Sequence, residues 1–265
     1  MKLASFDLEI AKAVEGDDWQ TQRLGISCAA VMLPEMNVSG AVGLVRNLAG
    51  LFEGPDLGLR YFYEISMNQS SVMQPQMSVS GAAGLVCHLA GLAADGYTLV
   101  TVNGAGFDFA VLAEESGMVA ECADLMLNHH CDLMMMSVCR LGWRVGLERL
   151  AHGAGVQGKL HNVSLKDGRI IDNMNGAMAP RLWAEGEHEA VLAYLKDDVR
   201  ATLETAERAV ELGSLGWYSS NGRWWQVPLV DGRLPTVAEC LLWPRPDTSW
   251  MSDPPDPDEA VAWAR

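Results

Sequence analysis

Three groups of residues, far apart in the chain, carry side chains that could do chemistry together. The first is Asp7-Leu8-Glu9, which closes a short apolar run at residues 2–6. Alternate residues of a strand point to one face, so both carboxylates converge at its end. Paired carboxylates are the hard oxygen ligands that magnesium and manganese prefer. Alone, such a D-x-E pair is common by chance. The second group is Asn103-Gly104-Ala105-Gly106-Phe107-Asp108, directly after the β-prone run at residues 97–102. Its glycines turn the chain from a strand into a helix, and Asp108 falls in the first helical turn. Taken singly, the helix dipole suffices to explain an acid there, and no lysine follows in the P-loop pattern. The third group is Tyr194-Leu195-Lys196-Asp197-Asp198. Tyr194 and Asp198 are four residues apart on a helix and share a face with Val191, Leu195 and Thr202. An acid on an apolar stripe is costly unless it is paired or metal-bound. Asp197 points about 100° away, towards solvent or Arg200.

The elements that must position these groups follow from pattern. Residues 25–33 and 59–66 read as strands, the second enriched in aromatics. Residues 80–94 read as an apolar helix, 97–102 as a strand, and 107–117 as a helix stopped by Gly117. Residues 120–152 alternate helical segments with short turns, with Asp132 opening a strand near the sheet edge. Residues 153–176 form a loop or small hairpin, and residues 187–212 form one long helix ending at Gly213. Three strands, then helix, strand and helices predict an α/β architecture, a mixed sheet flanked by helices. Residues 36–51 and 77–92 agree at 12 of 16 positions, too few copies for a solenoid. They read as a local duplication, the first copy lying within an insertion at residues 34–58. Residues 214–265 hold six of the nine tryptophans and many prolines. They predict a C-terminal appendage packed on a main domain of residues 1–213, with a hairpin at residues 222–234.

Composition sets the outer bounds. At 265 residues with 49% hydrophobic and 20% charged residues, the chain can bury a full core. Lys+Arg is 19 against Asp+Glu 34, a formal charge of −15, which argues against a protein that blankets nucleic-acid phosphates with basic side chains. No signal-peptide pattern opens the chain, and no apolar run approaches about 18 residues, so neither secretion nor a membrane partner is expected. The six cysteines include no C-x-x-C pair and read as reduced thiols of a cytoplasmic protein.

In order along the chain, D-x-E, N-G-x-x-F-D and Y-x-x-x-D resemble the DEDD superfamily of 3′–5′ exonucleases, tyrosine-type branch, on the ribonuclease H-like fold. The carriers are Asp7, Glu9, Asp108, Asp198 and Tyr194. The histidine-type branch would need histidine where Ala193 stands. His130-Cys131-Asp132-Leu133-Met134, Gly158-Lys159, Ala179-Pro180-Arg181-Leu182-Trp183 and Pro246-Asp247-Thr248-Ser249-Trp250-Met251 are similar to a group of bacterial ribonuclease H-like proteins. The resemblance implies that Asp7, Glu9, Asp108 and Asp198 hold two Mg2+ or Mn2+ ions. It implies hydrolysis of phosphodiester bonds at single-stranded DNA or RNA ends or short oligonucleotides, releasing 5′-nucleoside monophosphates. With a reference pKa near ~10, Tyr194 is a poor general base and is expected to orient the attacking water. Leu8, Asn103, Phe107 and Lys159 are expected to touch substrate. The alternative is a catalytically inert nucleic-acid-binding or scaffold protein on the same fold; endonucleolytic cleavage is a third reading.

Other clusters read as structural. His129-His130-Cys131-Asp132 lacks zinc-ligand spacing, and Met134-Met135-Met136 reads as core filling. Lys159, His161 and Lys166 lie in a polar loop, solvated or touching phosphate. The tail tryptophans read as packing more than as platforms for bases.

Overall fold

A computed structural model describes residues 1–14, 23–34, 51–53, 59–63, 66–67, 73–74 and 77–265. A six-stranded mixed sheet forms its centre, in the order β3-β4-β2-β1-β7-β8. Its strands are β1 (Lys2–Ile10), β2 (Ile26–Met32), β3 (Leu51–Glu53), β4 (Leu59–Tyr63), β7 (Tyr97–Thr101) and β8 (His130–Asp132). A minor pair, β5 (Ser66–Met67) with β6 (Met73–Gln74), lies between β4 and α1 (Val79–Ala94) in sequence. β1 is antiparallel to β2 and parallel to β7. Its pairing with β7 covers only Lys2 to Ser5, so Asp7 and Glu9 run on past the end of that partner. Ligand sites of sheets with parallel strands gather at such carboxyl ends.

Helices cover both faces. α1, α2 (Asp108–Ser116) and α3 (Val119–Asn128) pack on the side where β2 presents Ala29 and Val31. On the other side, Cys28 and Ala30 of β2 meet α6 (Ala179–Ala184) and the 25-residue α7 (His188–Leu212). With both faces covered, β1 and β2 are buried almost end to end, so β2 reads as a nearly continuous apolar run rather than an alternating one, while β1 buries its acids along with its apolar residues. α7 is fastened to the central strand by Ser5 Oγ, which donates to the Val199 carbonyl at 2.7 Å. It ends at Gly213 with φ of 70°, a left-handed cap that glycine adopts without strain.

The remaining elements are α4 (Leu133–Leu141), α5 (Leu147–Ala154), the hairpin β9 (Val163–Ser164) and β10 (Ile170–Ile171), β11 (Ser214–Tyr218), β12 (Trp224–Pro228), α8 (Val237–Leu241) and α9 (Pro257–Ala260). Two local expectations are corrected. Asp132 closes β8 rather than opening a strand, and it caps α4 by accepting from the Met134 and Met135 N–H groups. The C-terminal hairpin starts at residue 214, not 222, because the alternation of Leu215 and Trp217 places both in the main core. The second copy of the repeat forms most of α1, with Ser78 as its N-cap. The first copy lies outside the described residues apart from Leu51 in β3, as does most of the expected insertion. All six cysteines are free. Among the described residues no helix is long and apolar enough to cross a membrane.

Candidate active site

The chain ends of β1 and β7, the start of α2 and the middle of α7 bring the three sequence groups together. Leu8 N–H is shared between Asp7 Oδ1 at 3.0 Å and Asp108 Oδ1 at 3.4 Å. That shared donor brings the Asp7 and Asp108 carboxyl groups together. Glu9, Asp108 and Asp198 are buried polar residues, 5%, 4% and 3% exposed. Burial, then the charges of Asp108 and Asp198, push the Asp7 pKa well above the carboxylate range. Burial, then Asp7 and Asp198, do the same to Glu9. Burial pushes Asp108 up to about 7. A set of acids that shift one another in this way marks a site where negative charge is crowded and in need of cations.

Lys159 supplies one. Its Nζ lies 2.6 Å from Asp198 Oδ2 and donates to the Tyr194 hydroxyl at 3.0 Å. Burial works against the ammonium charge, yet Asp198 and Tyr194 hold its pKa above the ordinary lysine range. Burial and the Asp198 charge raise the Tyr194 hydroxyl pKa, so it stays protonated and able to donate. Burial raises Asp198 as well, against the opposing effects of Lys159 and Tyr194. The Lys159 loop is itself held. Glu148 Oε2 accepts from the Lys159 N–H at 2.9 Å, and Arg200 Nη2 donates to the Gln157 and Gly158 carbonyls at 3.2 and 3.3 Å. Arg200 in turn pairs with Asp197 at 2.9 Å. Asp197 therefore pairs as expected, but it is largely buried rather than solvated, its side chain 16% exposed.

The loop between β7 and α2 is shaped by Asp132, which the sequence pattern had placed only at the opening of a strand. Asp132 is 2% exposed, and its two oxygens accept from Asn103 N–H at 2.9 Å and Ala105 N–H at 3.0 Å. With the two bonds to α4, one carboxylate fixes both the helix start and the Asn103–Phe107 turn. An Asp directly before an apolar helical run is an N-cap signal, and that signal was legible. Gly104 donates to Thr101 Oγ1 at 2.9 Å, and a Cβ there would collide with the Thr101 side chain. Asn103 adopts φ of 76°, a left-handed turn position that asparagine tolerates better than most residues.

The expected substrate contacts divide. Lys159 stands in a cavity of about 330 Å³ with Asp7 and Asp198, while Asn103 and Phe107 line a neighbouring one of about 620 Å³. The Leu8 side chain is 4% exposed and belongs to the core, and its N–H is the part that faces the acids. His130, read as structural, is buried with Nε2 2.8 Å from Thr101 Oγ1.

The donor set fits a hard divalent cation. Four carboxylates face one ammonium, and the buried Asp198 Oδ1 has no hydrogen-bond partner. Buried carboxylates in this condition are paired or bound to metal in stable proteins. Among the described residues no three acidic, histidine or cysteine side chains form a ready-made cage; at Asp198 the lysine ammonium supplies the positive charge. Compared with known proteins, the chain matches no family model, no curated sequence and no solved structure.

Proposed function

We propose that the protein is a metal-dependent 3′–5′ exonuclease on a ribonuclease H-like fold, hydrolysing single-stranded or short oligonucleotide ends to 5′-nucleoside monophosphates. The observation that carries the reading is the meeting of Asp7, Glu9, Asp108, Asp198 and Tyr194, from three distant segments, at one buried centre. The strand order supports the fold: on one side of β1 the strands β2, β4 and β3 alternate in direction, each antiparallel to its neighbour, and on the other β7 and β8 run parallel to it.

Asp7, Glu9, Asp108 and Asp198 would hold two magnesium or manganese ions. Bound there, such ions supply an activated water and charge stabilisation for the leaving oxygen. The chain's own groups do the rest. The protonated Tyr194 hydroxyl orients the attacking water by hydrogen bonding, since its raised pKa bars it from accepting a proton. Lys159 places a fixed positive charge beside Asp198, where a non-bridging phosphate oxygen can meet it. Asp132 holds the loop from which Phe107 and Asp108 project. The formal charge of −15 limits the enzyme to a few terminal nucleotides, because long duplexes would meet net repulsion.

A 5′-labelled single strand, as DNA and as RNA, incubated with magnesium, manganese or EDTA, tests the proposal. Stepwise shortening from the 3′ end, metal-dependent and yielding 5′-monophosphates, is the expected result. Internal cuts would redirect it to an endonuclease. No cleavage together with no metal-induced rise in melting temperature would leave an inert scaffold.

A further inference from the structure

Three cavities follow one another along α4. The first, about 330 Å³, contains Asp7, Lys159 and Asp198. Its Met134 also lines the second, about 620 Å³, which holds Asn103, Phe107 and Arg144. Val138, Pro255, Asp256 and Pro257 are shared by the second and a third of about 300 Å³. Beyond Thr248 of the third cavity, Trp250 is 67% exposed and edge-on to Trp143. One wall of this groove is the C-terminal segment. That wall is tied to the catalytic loop, since Trp263 Nε1 donates to the Ala105 carbonyl at 2.9 Å.

We propose that this groove seats the last few nucleotides of a single strand, with bases turned inward and phosphates outward; the inference rests on the nuclease reading. The walls are flat and apolar where Phe107, Met134, Val138, Pro255 and Pro257 face the space, which suits the faces of bases. Asn103, Asp256 and Glu259 offer acceptors to exocyclic amino groups. Cations are sparse. Arg245 is engaged with Asp258 at 2.6 Å, and Arg144 alone among the described arginines of the groove carries no ion pair. A groove lined by more acids than free cations repels a phosphate chain, so the backbone lies at its rim beside Arg144. In a duplex the base edges are engaged with each other, so the occupant is unpaired. The C-terminal segment is thus part of the substrate site as well as packing material.

The test uses the full-length protein with oligoadenylates from dinucleotide to hexanucleotide, in DNA and RNA form. With manganese, kcat/KM should rise by roughly tenfold or more from the shortest to the longest, mostly through KM. Anisotropy of labelled hexanucleotide in EDTA should weaken with salt at a log–log slope of no more than about 1.5, since only Arg144 at the rim and Lys159 in the first cavity meet the backbone. Ala260→Trp, beside Gly106 in the second cavity, should bring the long-to-short ratio close to unity; Arg144→Ala should flatten the salt slope. If the wild type cleaves strands without length dependence, or binds them with a steep salt slope, the groove assignment is overturned while the nuclease reading stands. A folded Ala260→Trp protein that keeps the full ratio overturns it too. If Ala260→Trp does not fold, the wild-type length series and the Arg144→Ala slope decide. A wild type that neither binds nor cleaves any strand removes both proposals together.

Discussion

The Lys159 ammonium lies 2.6 Å from Asp198 Oδ2, a buried pair whose side chains are 29% and 5% exposed. It is the one positive charge in direct contact with the acidic cluster among the described residues. Lys159→Met should therefore strand Asp198 and destabilise the metal-free protein by about 3 kcal/mol, the usual cost of removing one partner of a buried pair. Manganese should restore a larger share of the melting temperature in the variant than in the wild type. Equal metal-induced shifts in the two proteins would contradict this.

Asp7, Glu9 and Asp108 all have raised folded-state pKa values, Asp108 reaching about 7. A carboxyl raised on folding binds more protons in the native state. It contributes stability that is complete below its unfolded value, near ~4, and lost as pH rises through the folded value. The metal-free protein should thus melt at a higher temperature near pH ~5 than near pH ~8. Asp7→Asn should raise stability at the upper end, flatten this slope and abolish hydrolysis. A melting temperature that climbs steadily with pH is the contrary outcome.

Adjacent acids in α7 should behave differently. Asp198→Ala should cost about a thousandfold or more in kcat, since it removes a ligand from the proposed cation centre. Asp197→Ala acts only through Arg200 and its hold on the Gln157 and Gly158 carbonyls, so about a tenfold loss or less is expected. Tyr194→Phe should fall between the two. Single-turnover rates on one labelled strand rank the three.

Trp217 is 1% exposed within the main core, whereas Trp250 is 67% exposed. Trp217→Ala should cost roughly 3–5 kcal/mol of stability, and Trp250→Ala within about 0.5 kcal/mol. Denaturant melts of both variants check this. Truncation before residue 214 also removes Leu215 and Val227 from the core, so an insoluble or molten product is expected.

What the sequence made legible was local. The D-x-E strand end, the glycine turn before Asp108 and the four-residue step from Tyr194 to Asp198 are patterns of period two or 3.6, readable within a short window. The mixed sheet followed from the order of such segments. The contacts that complete the centre are not local. Lys159 meets Tyr194 across 35 positions and Arg200 meets Gly158 across 42, pairings that no periodicity encodes. β8, at three residues, is too short to display alternation, so the cap at Asp132 went unread behind it. The Leu8 side chain lies in the core because a strand residue between two acids points to the opposite face.

The central strand β1 and its partner helix α7 lie far apart along the chain. The Ser5–Val199 hydrogen bond closes a chain separation of 194 residues, and β1 waits more than 90 positions for its parallel neighbour β7. Such high contact order makes assembly slow, because loop-closure entropy is lost before these contacts return any gain. A nascent chain, or one clipped ahead of α7, carries Asp7, Glu9 and Asp108 with no Asp198 to complete them. The acidic centre is therefore complete only when segments nearly 200 residues apart in the chain have come together.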